Sequence, residues 1–568
     1  MKIALIGQRG VGKSTLARQF KKTHPSFNVL DLDELIKEKE ERSILDIFKK
    51  DGESTFRELE KKHALDIFQK SPEKTILVLG AGFQEDIPSE WKVIWVSRES
   101  DVLKRLFQNR PRLNQKISPA QEYSEKVQER SLQFQARYDE KIDLPEGNFT
   151  ATQTHFNKQV LNFEIPPNSV ICLRKEHLHR KRLEGIAEAI KSSPNSFVEF
   201  RDDLLDESDY QKICKYLETS QVLHSQRKER SFLEKIKDTF SDVALELGSP
   251  KQKPTIISSH SKKLINQEEL INSFQSSQAQ FLKVSWVYDS YSELIRSFLY
   301  FKKILGSQLL FFPRSTQLDL RGFRCISDNH FDFIRYGHTS SAQEQITLFQ
   351  KEQLNIYNKN KKFAAIIGSQ TQYSFSPAFH AEFFNQRKTA FFNFNIQKED
   401  MSLELWNFLK LKGLVFSAIT SPFKKYFSNA PKNTFIKSQF SNFDLPALKA
   451  FYEKHFSQKN PEVSIYGNGA MTECLKSFLP NYSIYSSRTA EIIEQKRPRH
   501  GEKKLLIWAT SPTAKILEEI KTLNADEIWD LNYREDSRAK ELVTKEKQVY
   551  YSGLEFFELQ AKMQQEAY

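Results

Sequence analysis

The sequence predicts an α/β protein in three consecutive parts: a phosphate-loop domain, a (β/α)8 barrel, and a two-lobed unit with a Rossmann-like half. Three observations predict it. A short apolar strand runs directly into Gly7-Gln8-Arg9-Gly10-Val11-Gly12-Lys13-Ser14-Thr15 and then a helix. Strands and helices alternate through the middle of the chain, with polar residues at the strand ends. A late strand, Val463-Ser464-Ile465-Tyr466, enters a second glycine turn, Gly467-Asn468-Gly469-Ala470. At 568 residues the chain exceeds what one hydrophobic core organises, so about three domains of roughly 100–200 residues are expected.

Composition bounds the function class. Apolar content of 39%, charged content of 28% and no apolar run long enough to span a bilayer describe a soluble chain. The first residues already belong to the strand feeding the glycine loop, so no secretory signal is expected. Cys172, Cys214, Cys325 and Cys474 show neither disulfide-framework nor zinc spacing, and are expected to be reduced thiols of a cytoplasmic protein. The net charge of +12 is interleaved with acids rather than gathered into a stripe, which argues against a nucleic-acid surface. Basic pockets for small phosphorylated or carboxylated molecules fit better. Small-molecule substrates are therefore the expected partners, with neither nucleic acid nor membrane; a homodimer is left open.

In the first part, the loop fits GxxxxGK[ST] in its required strand-loop-helix setting. Its backbone N–H groups and the helix N-terminus would converge on a nucleotide phosphate, with Lys13 neutralising charge and Ser14 ligating Mg2+. The strand at residues 27–33 carries Asp31 and Asp33 at its carboxyl end, suited either to a metal and an acceptor hydroxyl or to a helix cap. Then come Gly52-Glu53-Ser54-Thr55-Phe56-Arg57-Glu58-Leu59-Glu60, a strand opening onto Gly80-Ala81-Gly82, and Asn109-Arg110-Pro111-Arg112-Leu113. In this order the motifs resemble shikimate kinase over nearly all of residues 1–160. The resemblance implies that Gly7, Gly10, Gly12, Lys13, Ser14, Thr15 and a lid arginine, Arg110, hold ATP, Lys13 acting also in catalysis. It places Mg2+ on Ser14 and Asp31, and shikimate on Asp33, Arg57, Gly80 and Gly82. In-line phosphoryl transfer needs mainly positioning and charge stabilisation. One departure stands out. The family's carboxylate-binding arginine lies four residues before a tyrosine, and if Tyr138 is that tyrosine the position holds Phe134. Arg130, one helical turn earlier, and Arg137, beside the tyrosine, are both open as substitutes.

A Pro166-Pro167-Asn168-Ser169 break begins the second part, about 166–358. Strand pieces at residues 170–173, 197–203, 222–227, 254–260 and 281–286 alternate with helices at barrel spacing. Lys283, inside an apolar strand, has lost the solvation that favours its charged form, as a nucleophilic lysine requires; a lysine snorkelling to water is the plainer account. His260 ends another strand, as an interior histidine or a proton carrier. With Glu199-Phe200-Arg201-Asp202-Asp203 and Ser341-Ala342-Gln343-Glu344-Gln345, the ordered set resembles type I 3-dehydroquinate dehydratase. The resemblance implies a Schiff base on Lys283, acid/base work by His260, substrate contacts from Glu199, Arg201, Arg227, Ser341 and Gln345, and no metal in this domain. A family glutamate after the Arg227 strand is Ser231 here, or shifted to Glu229. The family's second arginine is Arg321 or Arg324, and its SAPGQ run has become SAQEQ.

The third part, about 361–568, opens on a strand and Ser374-Phe375-Ser376-Pro377, whose two hydroxyls on one side suit a carboxylate. Ala418-Ile419-Thr420-Ser421-Pro422-Phe423-Lys424, Asn433 and Asn442-Phe443-Asp444 follow. After the glycine turn, the next strand ends at Ser487-Arg488-Thr489 rather than at an acid; an arginine there fits a 2′-phosphate, hence NADP. With a final Gly553-to-Gln560 segment, the set resembles shikimate dehydrogenase, with a substrate lobe at about 361–450, an NADP lobe at about 451–545 and a C-terminal helix returning to the substrate lobe. The resemblance implies Lys424 and Asp444 as the proton-transfer pair, and Ser374, Ser376, Thr420, Asn433 and Gln560 on the substrate. It places NADP(H) on Gly467, Gly469, Ala470, Ser487, Arg488 and Thr489. Ala418, Phe443 and Trp508 depart from the family pattern.

The three resemblances share one pathway. Their chain order resembles the carboxyl-terminal part of the fungal arom polypeptide without its other two activities. The expectation is a trifunctional shikimate-pathway enzyme that turns 3-dehydroquinate into 3-dehydroshikimate, shikimate and shikimate 3-phosphate. The rivals are a metabolite-sensing regulator resembling a quinate repressor, and a fusion with one degenerate site.

Overall fold

The computed structural model describes the chain except residues 99–118, 145–148, 162, 230, 237–239, 248–252, 263–265, 337–343, 370, 372–373, 375, 427–431, 497–502, 513, 534–536 and 544–547. Two compact units result: Met1–Lys361 with Asp400–Lys412, and Lys362–Glu399 with Gly413–Tyr568.

The first unit begins with a five-stranded parallel sheet, β1 (Lys2–Ile6), β2 (Asn28–Asp31), β3 (Thr75–Val78), β4 (Trp91–Ser97) and β5 (Glu140–Asp143), in the order β2-β3-β1-β4-β5. Successive residues of central β1 enter opposite cores. Ile3 and Leu5 pack with Phe20, Ile76 and Phe156, whereas Ala4 and Ile6 pack with Leu77, Trp95 and Phe134. Burial on both faces is why this strand reads as an unbroken apolar run.

Eight further parallel strands follow: β6 (Ser169–Cys172), β7 (Phe197–Arg201), β8 (Val222–Gln226), β9 (Ser241–Ala244), β10 (Ile256–Ser259), β11 (Phe281–Val284), β12 (Leu309–Phe311) and β13 (Asp332–Ile334). Their order, β12-β11-β10-β9-β8-β7-β6-β13, brings the last strand beside the first. Asn329 spans the seam between β12 and β13: its side chain accepts from Phe311 N–H at 2.7 Å and donates to Phe311 O at 3.2 Å and Asp332 at 3.3 Å. Val170, Leu223, Ile256, Phe281, Leu310 and Phe333 fill the interior below the strand ends. The helix Leu403–Leu411 also belongs to this unit, where Phe408 stacks on Phe323 with ring centroids 5.3 Å apart.

In the second unit, β14 (Phe363–Gly368), β15 (Ala390–Asn395), β16 (Leu414–Ile419), β17 (Thr434–Ile436) and β18 (Gln439–Ser441) form a sheet ordered β15-β14-β16-β17-β18, closed by an antiparallel hairpin. The other sheet holds β19 (Glu462–Tyr466), β20 (Tyr482–Tyr485), β21 (Ile492–Lys496), β22 (Lys504–Trp508), β23 (Glu527–Asp530) and β24 (Val549–Tyr551), ordered β21-β20-β19-β22-β23-β24. All but edge strand β21 are parallel, so the turn after β19 faces the crevice where the strand order reverses. The C-terminal helix Leu554–Ala567 packs on Ser376–Gln386 and Asp444–His455. Among the described residues, no helix is long and apolar enough to cross a membrane.

Candidate active sites

Three clusters form at strand ends, each from residues distant in sequence. In the first, Gly7, Gly10 and Gly12 have φ of 147°, 89° and 104°, a left-handed backbone that glycine alone adopts without strain. A Cβ at Gly7 would collide with the carbonyl of Val96 on β4. Lys13 is buried and its Nζ donates to Gly7 O at 2.7 Å, which folds the lysine back across the loop. The helix Lys13–Thr23 starts without a side-chain cap, so its first N–H groups are available to an anion. Ser14 and Thr15 lie in that first turn.

β2 carries the two carboxylates. Asp31 accepts from Asp33 N–H at 3.1 Å and caps the helix Leu32–Glu40. The capping account is therefore true of Asp31, and with the Ser14 hydroxyl it also offers hard oxygen donors of the kind Mg2+ takes. Burial, and then the charge of Asp31, raises the Asp33 carboxyl against the pull of Lys13. The glycine turn after β3 closes on the same place. A Cβ on Gly80 would lie 2.5 Å from Glu60 Oε1 and 3.2 Å from Asp33 Oδ1, and one on Gly82 would lie 2.9 Å from Arg57 Cζ. Side chains larger than hydrogen at these two positions would displace the polar groups that converge there.

Arg57 donates to Glu53 at 2.8 Å and to Glu60. Burial pushes Glu60 up to about 7 despite Arg57 beside it. A carboxyl raised above its unfolded value of 4.5 holds a proton that the unfolded chain has released. The stability it contributes is full below pH 4.5 and lost as pH rises through about 7. Glu60→Gln should remove this slope, so the variant gains stability relative to the parent between pH 5 and pH 8 in denaturant unfolding followed by tryptophan fluorescence. An offset equal at the two pH values would contradict it.

Phe134 lies in the core against Trp95, with centroids 5.8 Å apart, and points no charge at the site. Arg137 is engaged with the carbonyls of Phe83, at 2.7 Å, and Glu85. Arg130 is depressed by burial and then by the charge of Arg57, and it also feels Glu53 and Arg9. Among the described residues it has no hydrogen-bond or ion-pair partner. Arg110 lies outside the described residues.

The second cluster lines a cavity of about 430 Å3 at the carboxyl ends of the barrel strands. Lys283 Nζ donates to Asp242 at 2.8 Å, stands 3.9 Å from Glu199 Oε1 and sits 4.1 Å from the Phe333 ring centroid. Arg227 donates to the same Asp242 carboxylate at 2.6 Å. Asp242 is fully buried, yet Arg227 and Lys283 overcome that desolvation and hold it well below the usual carboxylate range. Burial, Arg227 and Lys283 together hold the His260 imidazole well below its ordinary value, so it is neutral and able to accept a proton. Glu199, Arg201, Arg227 and Gln345 line the cavity with them. Ser341 lies outside the described residues.

Of the two alternatives for the second arginine, Arg324 lines the cavity, while Arg321 grips Asp319 on its own turn at 2.8 and 3.0 Å. Neither substitute glutamate is at the site. Ser231 accepts from Leu233 N–H at 3.2 Å in a short turn, and Glu229 is exposed. Glu246 takes the place beside the histidine, accepting from His260 N–H at 2.5 Å. Glu246 and Arg314, which line the cavity, and Asp242, fully buried behind Lys283, were not foreseen from the sequence. The signal was faint, because β9, Ser241-Asp242-Val243-Ala244, buries an aspartate where an apolar residue marks a strand.

In the third cluster Lys424 donates to Asp444 at 2.6 Å, and Gln560 of the C-terminal helix donates to the other Asp444 oxygen at 2.8 Å. Phe443 N–H donates to Asn433 Oδ1 at 2.8 Å, leaving Asn433 Nδ2 as a buried donor without a partner among the described residues. Ser374 and Ser376 hydroxyls are 3.1 Å apart, and Tyr533, unforeseen in sequence, reaches Ser374 at 3.5 Å. Thr420 stands over Gly368 so closely that a Cβ there would strike it. His380, which burial lowers to about 4, is a neutral link bonded to Gln564 at 3.1 Å, and Gln564 reaches Thr434. Facing this cluster, Gly467 has φ of 118° and lies against Ala509 O, where a Cβ would come to 2.7 Å. Gly469 and Ala470 open the next helix, and Ser486 Oγ accepts from the N–H groups of Arg488 and Thr489 at 3.2 Å each, leaving both side chains exposed beyond β20 beside Ser487.

The family model described as shikimate kinase matches residues 9–152. No curated protein matches the chain. Among solved structures, the shikimate kinase of Aquifex aeolicus is 25% identical over 28% of this chain and 94% of its own, with a TM-score of 0.24. The dehydroquinate dehydratase and shikimate dehydrogenase of S. pombe AroM is 14% identical over 70% of this chain and 94% of its own, at 0.26. The shikimate dehydrogenase of Thermotoga maritima is 15% identical over 36% and 92%, at 0.29. Over residues 9–152, where the glycine loop, Asp33, Arg57 and the Gly80 turn converge, the chain matches the shikimate kinase family.

Proposed function

We propose that the chain is a multifunctional enzyme of the shikimate pathway, acting in the cytoplasm through three domains at about 1–160, 166–358 and 361–568. One observation carries the reading: three times over, residues far apart in sequence meet at strand ends in the combination that one of three consecutive reactions needs.

In the barrel, Lys283 adds to the ketone of 3-dehydroquinate and water leaves, forming an imine. Neutral His260 takes the proton from the neighbouring carbon and returns it to the departing hydroxyl, and water then hydrolyses the product imine to release 3-dehydroshikimate and free the Lys283 amine. Glu199, Arg201, Arg227, Arg324 and Gln345 hold the substrate, and Asp242 keeps the lysine in place. In the second unit, Lys424 and Asp444 supply the proton to the ketone oxygen of 3-dehydroshikimate, oriented by Ser374, Ser376, Thr420, Asn433 and Gln560. NADPH, held at Gly467, Gly469, Ala470, Ser487, Arg488 and Thr489, supplies the hydride. In the first sheet, Lys13 and the loop hold ATP, Asp33 orients the shikimate hydroxyl, and Arg57 and Arg130 bind its carboxylate. Mg2+, which Ser14 and Asp31 would hold, neutralises phosphate charge when bound.

The test is turnover of 3-dehydroquinate by the purified chain with NADPH and MgATP, resolving each product. Shikimate 3-phosphate is the expected end product. Binding without turnover would favour the sensor, and arrest at one intermediate would name a degenerate site. For the carboxylate anchor, Arg130→Met should raise the KM for shikimate at least about ten-fold, the scale of a lost charged hydrogen bond, and leave the KM for ATP unchanged. An unchanged KM for shikimate would remove Arg130 from the site.

A further inference from the structure

The helix Pro119–Arg137 meets the surroundings of the Gly80 turn through Arg137, on the carbonyls of Phe83 and Glu85, and carries Arg130, buried within reach of the Arg57 charge. A helix end leaves carbonyls without intrahelical donors, and its partial negative charge favours a cation. Here that cation comes from elsewhere in the unit. Arg182, on the helix Arg180–Ser192 that follows the first barrel strand, donates from Nε to Tyr138 O at 2.6 Å and from one terminal nitrogen to Gln135 O at 2.5 Å. The other terminal nitrogen donates to Glu176 O, on the barrel side, at 2.6 Å. Its Cζ lies 3.6 Å from the centroid of the Tyr138 ring, and Gln135 donates to the Glu176 carboxylate at 2.8 Å. Arg182 is 4% exposed and Tyr138 is fully buried.

We propose that Arg182, carried by the barrel segment, is a positioning residue for the kinase site. It fixes the end of the helix whose Arg130 and Arg137 shape the acceptor pocket. Only the planar guanidinium can serve three carbonyls at once while stacking on the tyrosine; an ammonium makes a subset of these contacts. Acceptor affinity in the first sheet therefore depends on a barrel side chain that touches neither shikimate nor ATP. The inference rests on the kinase reading above.

The experiment compares Arg182→Met and Arg182→Lys with the parent, all as the full chain. Kinase kcat, the KM values for shikimate and for ATP, shikimate binding by calorimetry, and dehydratase turnover are measured on each. Arg182→Met should weaken shikimate binding roughly ten-fold, as a slightly misplaced binding group does, with the KM for ATP and dehydratase turnover unchanged. Arg182→Lys should recover part of the loss. Unchanged shikimate affinity in either folded variant would overturn the proposal, as would a parallel loss of shikimate and ATP binding. Should Arg182→Met not fold, Arg182→Lys decides by the same criterion. A parent that binds shikimate without phosphorylating it would fail the kinase reading alone, because the calorimetric comparison still reads the role of Arg182.

Discussion

Lys283→Met is expected to stop dehydration of 3-dehydroquinate, lowering kcat by a factor on the order of 10⁴ or more, because the step that makes the electron sink is lost outright. Methionine keeps the length and the contact with the Phe333 ring but removes the nucleophile. Borohydride trapping of substrate on the chain, read as an added mass on the peptide containing residue 283, should vanish with the activity. Turnover of shikimate with MgATP by the same variant shows that the chain has folded. Retained dehydration, or trapping on another residue, would refute the role given to Lys283. The contacts around Lys283 suit the proposed role. Asp242 is shared between Arg227 and Lys283, so when the amine is consumed in an imine the carboxylate remains paired with Arg227.

Asp444→Asn and Lys424→Met are each expected to lower NADPH-dependent reduction by about 10²–10⁴, the range of a lost acid/base group. NADPH binding, followed by its fluorescence, should be unchanged in Asp444→Asn, whose carboxylate is bonded to Lys424 and Gln560, and near the parent's in Lys424→Met, where only the 3.5 Å contact of Lys424 with Met471 reaches the helix after the Gly467 turn. The two losses should not add in the double variant, since the 2.6 Å contact makes the pair one proton-holding unit. Additive losses, or weakened NADPH binding, would count against the assignment. Gln560 is bonded to the same carboxylate and comes from the helix Leu554–Ala567, so that helix contributes to this cluster.

Much of the architecture was legible because strong local signals coincide with function. The loop from Gly7 to Thr15 demands three left-handed residues beside a helix start, and glycine spacing states that requirement directly. Lys424, Asp444 and Gln560 were likewise legible as residue types in order, though 116 residues separate the last two. The groups missed lie where the local pattern misleads. Glu246 was hidden in a short turn, and Tyr533 in a loop without a periodic pattern. Asp242 sits in a strand whose composition resembles a polar loop, because Arg227 and Lys283, rather than apolar packing, make its burial tolerable.

The choices between alternatives were of another kind. Arg130 against Arg137, and Arg324 against Arg321, are equal as residue types and nearly equal in position along a helix. Only tertiary surroundings separate them: Arg137 spends its donors on the carbonyls of Phe83 and Glu85 and Arg321 on Asp319, whereas Arg130 is buried within reach of the Arg57 charge, and Arg324, though it also donates to Pro313 O, lines the barrel cavity. By itself, then, the sequence determined the fold class and which residue types stand at the glycine turns and strand ends, because periodicity, glycine placement and residue type are local properties. Tertiary structure alone decided that Arg324 rather than Arg321 lines the barrel cavity, that Glu246 stands beside His260, and that the end of the helix Pro119–Arg137 meets Arg182, because those depend on which distant carbonyls and carboxylates the packing leaves without partners.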